Sequence, residues 1–505
     1  MLDAILSLDI GTSSTRALLW DTQGNLVKPY EAQIKYALHT TPDGGAEIPA
    51  EEMLQHTASC IDSLLRQVEG QGCTIRAVGI STFWHSMVGI DRHGNALTPI
   101  YMWADTRSAP QANRLRLELN ELRLHRRTGC RIHPSYYPAK LVWLRETQPE
   151  AYRAVDRWVS PCEYFFGRLF GVHAIQVSVS MASGTGLMNQ EACVWDAEAF
   201  RCYGLAEEKF SPIVNLNEPA RGLRAEFAER WASLKEVPFF PAVGDGACGN
   251  VGSGCTSPER FAINLGTSGA VRVLWHESQM PTPPIQPSGC WYYRIDKARP
   301  LIGTAFSDGG NVFDWLQKSL KLPPRDELEA YLQSAPPGGH GLVFLPFMSG
   351  ERGMNWNPKA RSAFVGMNLD TSPVDIVHAA MEAIALRFTL ATGQLSEVFP
   401  QVREVIASGG VLSRSPAWAQ IFASALGQPI TLTEEPEASS RGAAFLAMEA
   451  EGSLGDMEWE TRMGKTYLPN TENFAQYQEL LAEQEEYYRR VMADSSTSLL
   501  SPSST

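Results

Sequence analysis

Ile5-Leu6-Ser7-Leu8-Asp9-Ile10-Gly11-Thr12-Ser13 and Phe261-Ala262-Ile263-Asn264-Leu265-Gly266-Thr267-Ser268 repeat one pattern about half a chain apart. Each is an apolar run, read as a buried strand, that stops at a small, hydroxyl-rich turn. Glycine lets backbone approach an anion closely, and the amides and hydroxyls that follow are donors matched to phosphate oxygens. A second apolar run follows each turn, Thr15 to Trp20 and Ala270 to Trp275, so the pattern predicts a strand-turn-strand hairpin used twice. A single copy is common in any strand-rich protein. Two copies opening two similar-sized halves point to two phosphate loops facing one cleft.

The chain has 505 residues, which is long for one core and favours two domains of near-equal size. A formal charge of -13 argues against nucleic acid or an anionic membrane as partner. No apolar run approaches the ~20 residues of a membrane span, and the first strand carries Asp3 and Asp9 where a signal peptide would be apolar. Nine cysteines without a Cys-x-x-Cys pair read as reduced thiols of a cytoplasmic protein, with Cys248 and Cys255 as buried structural thiols.

Strand and helix signals alternate in both halves, which is the signature of an α/β fold. The first half continues through a strand at Ala77 to Ser81 and helical stretches at Ala139 to Glu146 and Glu150 to Phe170. In the second half a strand at Gly341 to Phe347 precedes a well-marked helix after Thr371. There Ser372 caps, Pro373 takes the first helical position and Asp375 completes a capping box. A Gly-, Ser-, Thr- and Pro-rich stretch, Gly252 to Glu259, marks the boundary, giving domains at 1–252 and 253–493. Residues 494–505, nearly all Ser, Thr and Pro, read as a disordered tail.

No Gly-x-x-x-x-Gly-Lys P-loop and no dinucleotide fingerprint occurs. Phosphates would instead lie between the two hairpins, in a closed cleft suited to a nucleoside triphosphate. Arg16 is placed to add a fixed positive charge, and Asp9, at the strand end, to orient a hydrated Mg²⁺. Pro241-Ala242-Val243-Gly244-Asp245-Gly246-Ala247 presents Asp245 between two glycines, where a carboxylate can take the proton of an acceptor hydroxyl. Gly309-Gly310 and Gly409-Gly410 each lead into a helix and offer bare backbone to a flat nucleoside.

With these pieces in place the chain resembles the FGGY carbohydrate kinases of the sugar kinase, heat-shock chaperone and actin ATPase superfamily. The resemblance runs from Leu8-Asp9-Ile10-Gly11-Thr12-Ser13-Ser14 to Ser440-Arg441-Gly442-Ala443-Ala444. Its most specific stretch is Ser362-Ala363-Phe364-Val365-Gly366-Met367 with Asp375-Ile376-Val377-His378-Ala379-Ala380-Met381-Glu382. An earlier signature is met at Lys140, Leu141 and Trp143, with Tyr137 where a small residue or proline is usual.

The resemblance implies two actin-like (ribonuclease H-like) ATPase domains flanking a central ATP and sugar cleft. It further implies Asp245 as catalytic base, Gly11, Thr12, Ser13, Ser14 and Arg16 as the first phosphate loop, and Gly266, Thr267 and Ser268 as the second. Gly310, Gly410 and Arg414 fall at nucleotide positions; Trp84, His85, Trp103 and Asp105 fall where relatives contact a polyol. The implied ligands are ATP, Mg²⁺ and a small sugar or sugar acid, with a homodimer as one assembly. Trp103 to Ser108, Thr128 to Pro134 and Gly266 to Arg272 resemble the gluconokinase branch. That makes gluconate the leading acceptor, with His85, Arg107 or Lys140 available to its carboxylate and a ketose such as xylulose as the alternative. Phe83-Trp84 replaces a smaller pair usual before this histidine. A non-catalytic nucleotide switch of the actin or chaperone type, or a pseudokinase, are the competing classes.

Overall fold

The structure is a computed structural model that describes residues 2–280, 282, 284–453 and 460–497. Two sheets dominate it. In the first, β1 (Leu2–Ile10), β2 (Ser14–Asp21) and β3 (Leu26–Lys35) form an antiparallel meander. β4 (Cys73–Thr82) then joins β1 in parallel and β5 (Val243–Gly244) joins β4 in parallel, giving the order β5-β4-β1-β2-β3.

The second sheet is built from β6 (Arg260–Leu265), β7 (Gly269–Leu274), β8 (Trp291–Arg294), β9 (Pro300–Phe306), β10 (Glu404–Ser408), β11 (Ile430–Thr433) and β12 (Met463–Tyr467). Its order is β8-β9-β7-β6-β10-β11-β12. Here β6, β7 and β9 are the antiparallel meander and β10 and β11 the parallel additions. Apart from the edge strands β8 and β12, the second sheet therefore repeats the plan of the first. The two quoted hairpins are β1-β2 and β6-β7, the equivalent positions of the two sheets.

The apolar runs do not alternate because both faces of the first sheet are covered. Leu6, Leu8, Ala17 and Leu19 join a core with Met53, Leu54, Ile61 and Leu64 of the helix Ala50–Val68. Ile5, Leu18, Trp20 and Ala77 face the other way, onto Ala444, Ala447 and Met448 of the helix Ala438–Glu451. Each fully buried leucine or isoleucine contributes about 1.5–3 kcal/mol by leaving water. The helix Ala438–Glu451 thus returns from the second half of the sequence to pack on the first sheet.

That return depends on missing side chains. A Cβ on Gly442 would lie 1.9 Å from the Cys248 carbonyl oxygen, and one on Gly252 would lie 1.9 Å from that of Ala438. The helix Asp245–Gly252, which begins at the candidate base, is seated backbone to backbone on Ala438–Glu451.

The helix read after Thr371 spans Pro373–Val398 and has the full capping box: the Ser372 hydroxyl accepts from the Asp375 amide and the Asp375 carboxylate from the Ser372 amide. Ser372→Ala is expected to destabilise the protein by about 1 kcal/mol, measured by urea unfolding, with Ser372→Thr, which keeps the hydroxyl, close to wild type.

The stretch Glu150 to Phe170 is not one helix. Pro149–Ala154 ends, Arg157–Val159 forms a strand, and Pro161–Phe170 restarts with Ser160 and Glu163 in a second capping box. The last helix, Thr471–Thr497, continues past Asp494 into the segment read from composition as a disordered tail; 498–505 lie outside the described residues. All nine cysteines are free, and Cys248 and Cys255 are buried. Among the described residues no helix is long and apolar enough to cross a membrane.

Candidate active site

Both hairpin turns are closed by their own backbone. The Gly11 amide donates to Ser14 O at 2.9 Å and the Gly266 amide to Ser268 O at 2.9 Å. The second turn is also fixed from behind, because the amides of Gly310 and Asn311, opening the helix Gly310–Ser319, donate to Gly266 O (2.8 Å) and Thr267 O (3.1 Å). Gly409 must be glycine for a related reason. Its φ is +105°, and a Cβ there would lie 2.2 Å from the Leu265 carbonyl oxygen, on the strand that ends in this turn.

Two cavities meet at that turn. One, of about 370 Å³, is lined by Gly266, Thr267, Gly310, Gly410 and Arg414, with Phe313 and Trp418 as apolar walls. The other, of about 260 Å³, is lined by Ser268 of the same turn, Thr12 of the first turn, Asp245, Trp84, His85 and Trp103. Residues far apart in sequence are therefore sorted into two adjoining spaces. Asp245 shares the smaller cavity with a residue from each hairpin turn.

Asp245 is the first residue of its helix, and its Oδ1 accepts from the Gly246 amide at 2.7 Å. Its side chain is exposed to the open cavity. The protein crowded around it raises its pKa above the ordinary carboxylate value, while Arg272, the Gly246 amide and Arg352 pull the other way. Asp9 lies at the end of β1, directly across from Arg16 on β2. Burial pushes its carboxyl up to about 6, opposed by the neighbouring Ser81 hydroxyl and reinforced by the charge of Asp245. Asp9 is a hard oxygen donor that feels the charges of Asp245 and Glu437, a setting that fits a divalent cation held through water.

His85 has a left-handed backbone, φ +65°, and its Nδ1 donates to Gly184 O at 2.6 Å. Burial, with Arg352 and Lys140 nearby, lowers its pKa to about 3, so the imidazole is neutral and its Nε2 is an acceptor. The Trp84 indole donates to Ser180 O at 2.9 Å and fills a slot that exists because 184 and 244 are glycines; a Cβ on Gly244 would lie 1.9 Å from the indole. Trp103 donates from Nε1 to Thr12 Oγ1 at 3.1 Å, tying the first turn to the cavity wall.

Four of the expected residues have protein partners. Asp105 is buried away from the cavity, where its carboxylate holds Arg107 at 2.5 Å and the Ala46 amide at 3.2 Å. Arg107 is consumed by Asp105 and Glu47, and Lys140 donates to the carbonyls of His85 (2.9 Å) and Ser135 (2.6 Å). Neither cation is free for an acceptor carboxylate. Arg16 is ion-paired with Glu437, just before the helix Ala438–Glu451.

Other residues line the cavity instead: Arg272, Arg352, Tyr136, Trp291, Tyr293 and Trp356. The guanidinium of Arg352 lies 4.3 Å over the Trp103 ring. Arg272 leans on Gly246, where a Cβ would fall 2.8 Å from its Nε. These residues come from β7, β8 and loops that local patterning reads only as structure.

The sequence was also compared with known proteins. The model of the FGGY family of carbohydrate kinases, N-terminal domain, matches residues 4–252, and that of the C-terminal domain matches 261–451. The chain belongs to the FGGY family of carbohydrate kinases. It is similar to the gluconokinase of Bacillus subtilis (strain 168), 29% identical over 480 residues that cover 92% of this chain and 91% of that protein. Among solved structures it is similar to a gluconate kinase from Lactobacillus acidophilus, with TM-score 0.89, 27% identity and coverage of 98% and 99% of the two chains. It is equally similar in fold to a ligand-bound xylulose kinase from the same organism, with TM-score 0.89, 27% identity and coverage of 97% and 99%. This FGGY kinase is accordingly an ATP-dependent sugar phosphotransferase, and its fold is that of the solved sugar kinases.

Proposed function

We propose that this kinase transfers the γ-phosphate of ATP to a hydroxyl of gluconate, with Asp245 as general base. The observation that carries the reading is the placement of Asp245 in a cavity that touches both hairpin turns. An acceptor hydroxyl there would hydrogen-bond to the Asp245 carboxylate and lose its proton to it as the bond to phosphorus forms. In this reading residues 1–252 supply Asp245, the acceptor wall and the loop Gly11, Thr12, Ser13 and Ser14. Residues 253–493 supply the loop Gly266, Thr267 and Ser268 and the nucleoside cavity with Gly310, Gly410 and Arg414.

The neutral His85 would accept from one polyol hydroxyl, and Trp84 and Trp103 would cover its carbon face. Arg16 acts through its pair with Glu437, fixing the first turn against the helix Ala438–Glu451. A bound Mg²⁺ would be held near Asp9, through water, and would neutralise charge on the phosphates. Gluconate is favoured by the gluconokinase relatives; the matching xylulose kinase structure favours xylulose as the second reading.

Two measurements test this. ADP release should be stimulated by gluconate over xylulose, glycerol and other neutral polyols; stimulation by xylulose alone replaces the acceptor. The pH profile should lose activity as pH falls, because a carboxyl raised by the protein around it takes up its proton above the ordinary carboxylate range. With Asp9 at about 6, raising Mg²⁺ should shift that acid limb to lower pH, since a cation competes with the proton. In Asp9→Asn the limb should no longer respond. A limb indifferent to Mg²⁺ in the wild type removes Asp9 from the metal's surroundings.

A further inference from the structure

Arginines enclosed in this protein normally hold a carboxylate. Arg294 holds Glu277 at 2.7 Å and Arg387 holds Glu351 at 2.8 Å. Arg272 and Arg352 differ. Both line the acceptor cavity, and neither has an ion-pair partner among the described residues. The Nε of Arg272 is buried without a hydrogen-bond partner, as is the indole Nε1 of Trp356 on the same wall.

Both guanidiniums are half-buried at the cavity wall, and a buried donor left without a partner, such as the Arg272 Nε, is costly unless a ligand meets it. A guanidinium does not escape by deprotonating. Among the residues that line this cavity Asp245 is one carboxylate against two guanidiniums, while Asp9 and Lys140 stand behind the wall. The lining itself therefore has a guanidinium to offer an acceptor.

We infer that Arg272 and Arg352 form a receptor for the carboxylate of an acidic acceptor, which makes the substrate class the aldonates and related sugar acids. This rests on the kinase reading above and deepens it. A neutral ketose or polyol would leave the offered guanidinium and the Trp356 indole unanswered. A carboxylate offers lone pairs to two forks of donors and cancels the charge.

Gluconate and glucitol separate the contributions, because they share the hydroxylated chain and differ in carboxylate against CH₂OH. Calorimetric binding without nucleotide and steady-state kinetics with ATP are measured for both on the wild type, Arg272→Gln and Arg352→Gln. The wild type should favour gluconate by about 10- to 150-fold, the range expected for hydrogen bonds to a charged group. In at least one glutamine variant that ratio should fall about tenfold or more, through KM for gluconate, with KM for ATP little changed. The lysine variants, which keep charge without the fork, should recover part of it and also guard against misfolding of the glutamine forms.

A gluconate preference that survives both substitutions overturns the receptor while leaving gluconate as substrate. Variants that raise KM for ATP with the ratio intact assign the guanidiniums to the phosphates and also overturn it. A wild type in which neither gluconate nor glucitol stimulates ATP turnover contradicts the kinase reading itself.

Discussion

Asp245→Asn is expected to lower kcat by about 10²- to 10⁴-fold, the contribution of a positioned general base, with KM for gluconate and ATP changed far less. The asparagine amide keeps the shape and can still accept from the Gly246 amide, so the helix Asp245–Gly252 keeps its start. What it loses is the ability to take a proton. The part of the acid limb that Asp245 contributes should be lost from the residual activity, leaving the Mg²⁺-sensitive part that Asp9 sets. Retention of more than about a tenth of wild-type kcat would be too small a loss for a general base.

Gly409→Ala is expected to be strongly disruptive in the nucleotide half. Its φ of +105° is a conformation that alanine resists, and the new Cβ would fall 2.2 Å from backbone, the Leu265 carbonyl oxygen, which cannot rotate away. Backbone strain and overpacking together cost about 2–6 kcal/mol. Relief comes by moving the strand Arg260–Leu265 or the residue that follows, and either displaces Gly266, Thr267 or Gly410 from the nucleoside cavity. Thermal unfolding should show a markedly lowered midpoint, and whatever folds should have a raised KM for ATP. An alanine variant with wild-type stability and ATP kinetics would mean the close approach is easily relaxed.

The hairpins were legible because their information is local: an apolar run buried on both faces, then glycine and hydroxyls. The same holds for the capping box at Ser372 and Asp375. The capping box at Ser160 and Glu163 was equally local, and it interrupts what periodicity alone reads as one helix from Glu150 to Phe170. The acceptor end of the site was much less legible. Asp105 and Arg107 neutralise one another two residues apart, while Arg272 and Arg352, distant in sequence, have no ion pair among the described residues once the fold is complete. Which cation is spent and which is free is a property of tertiary packing. Gly442 and Gly252, where the helix Ala438–Glu451 crosses back to seat the helix that carries Asp245, are invisible to pattern reading for the same reason.

The most direct measurement is ADP release by the purified full chain with ATP and Mg²⁺ across gluconate, glucitol, xylulose and glycerol, with the product identified by mass. The account predicts gluconate-dependent ADP release matched by an equal amount of a gluconate monophosphate, and little or none with the neutral acceptors. ATP turnover that no acceptor stimulates, or phosphoryl transfer to xylulose in preference to gluconate, would contradict it.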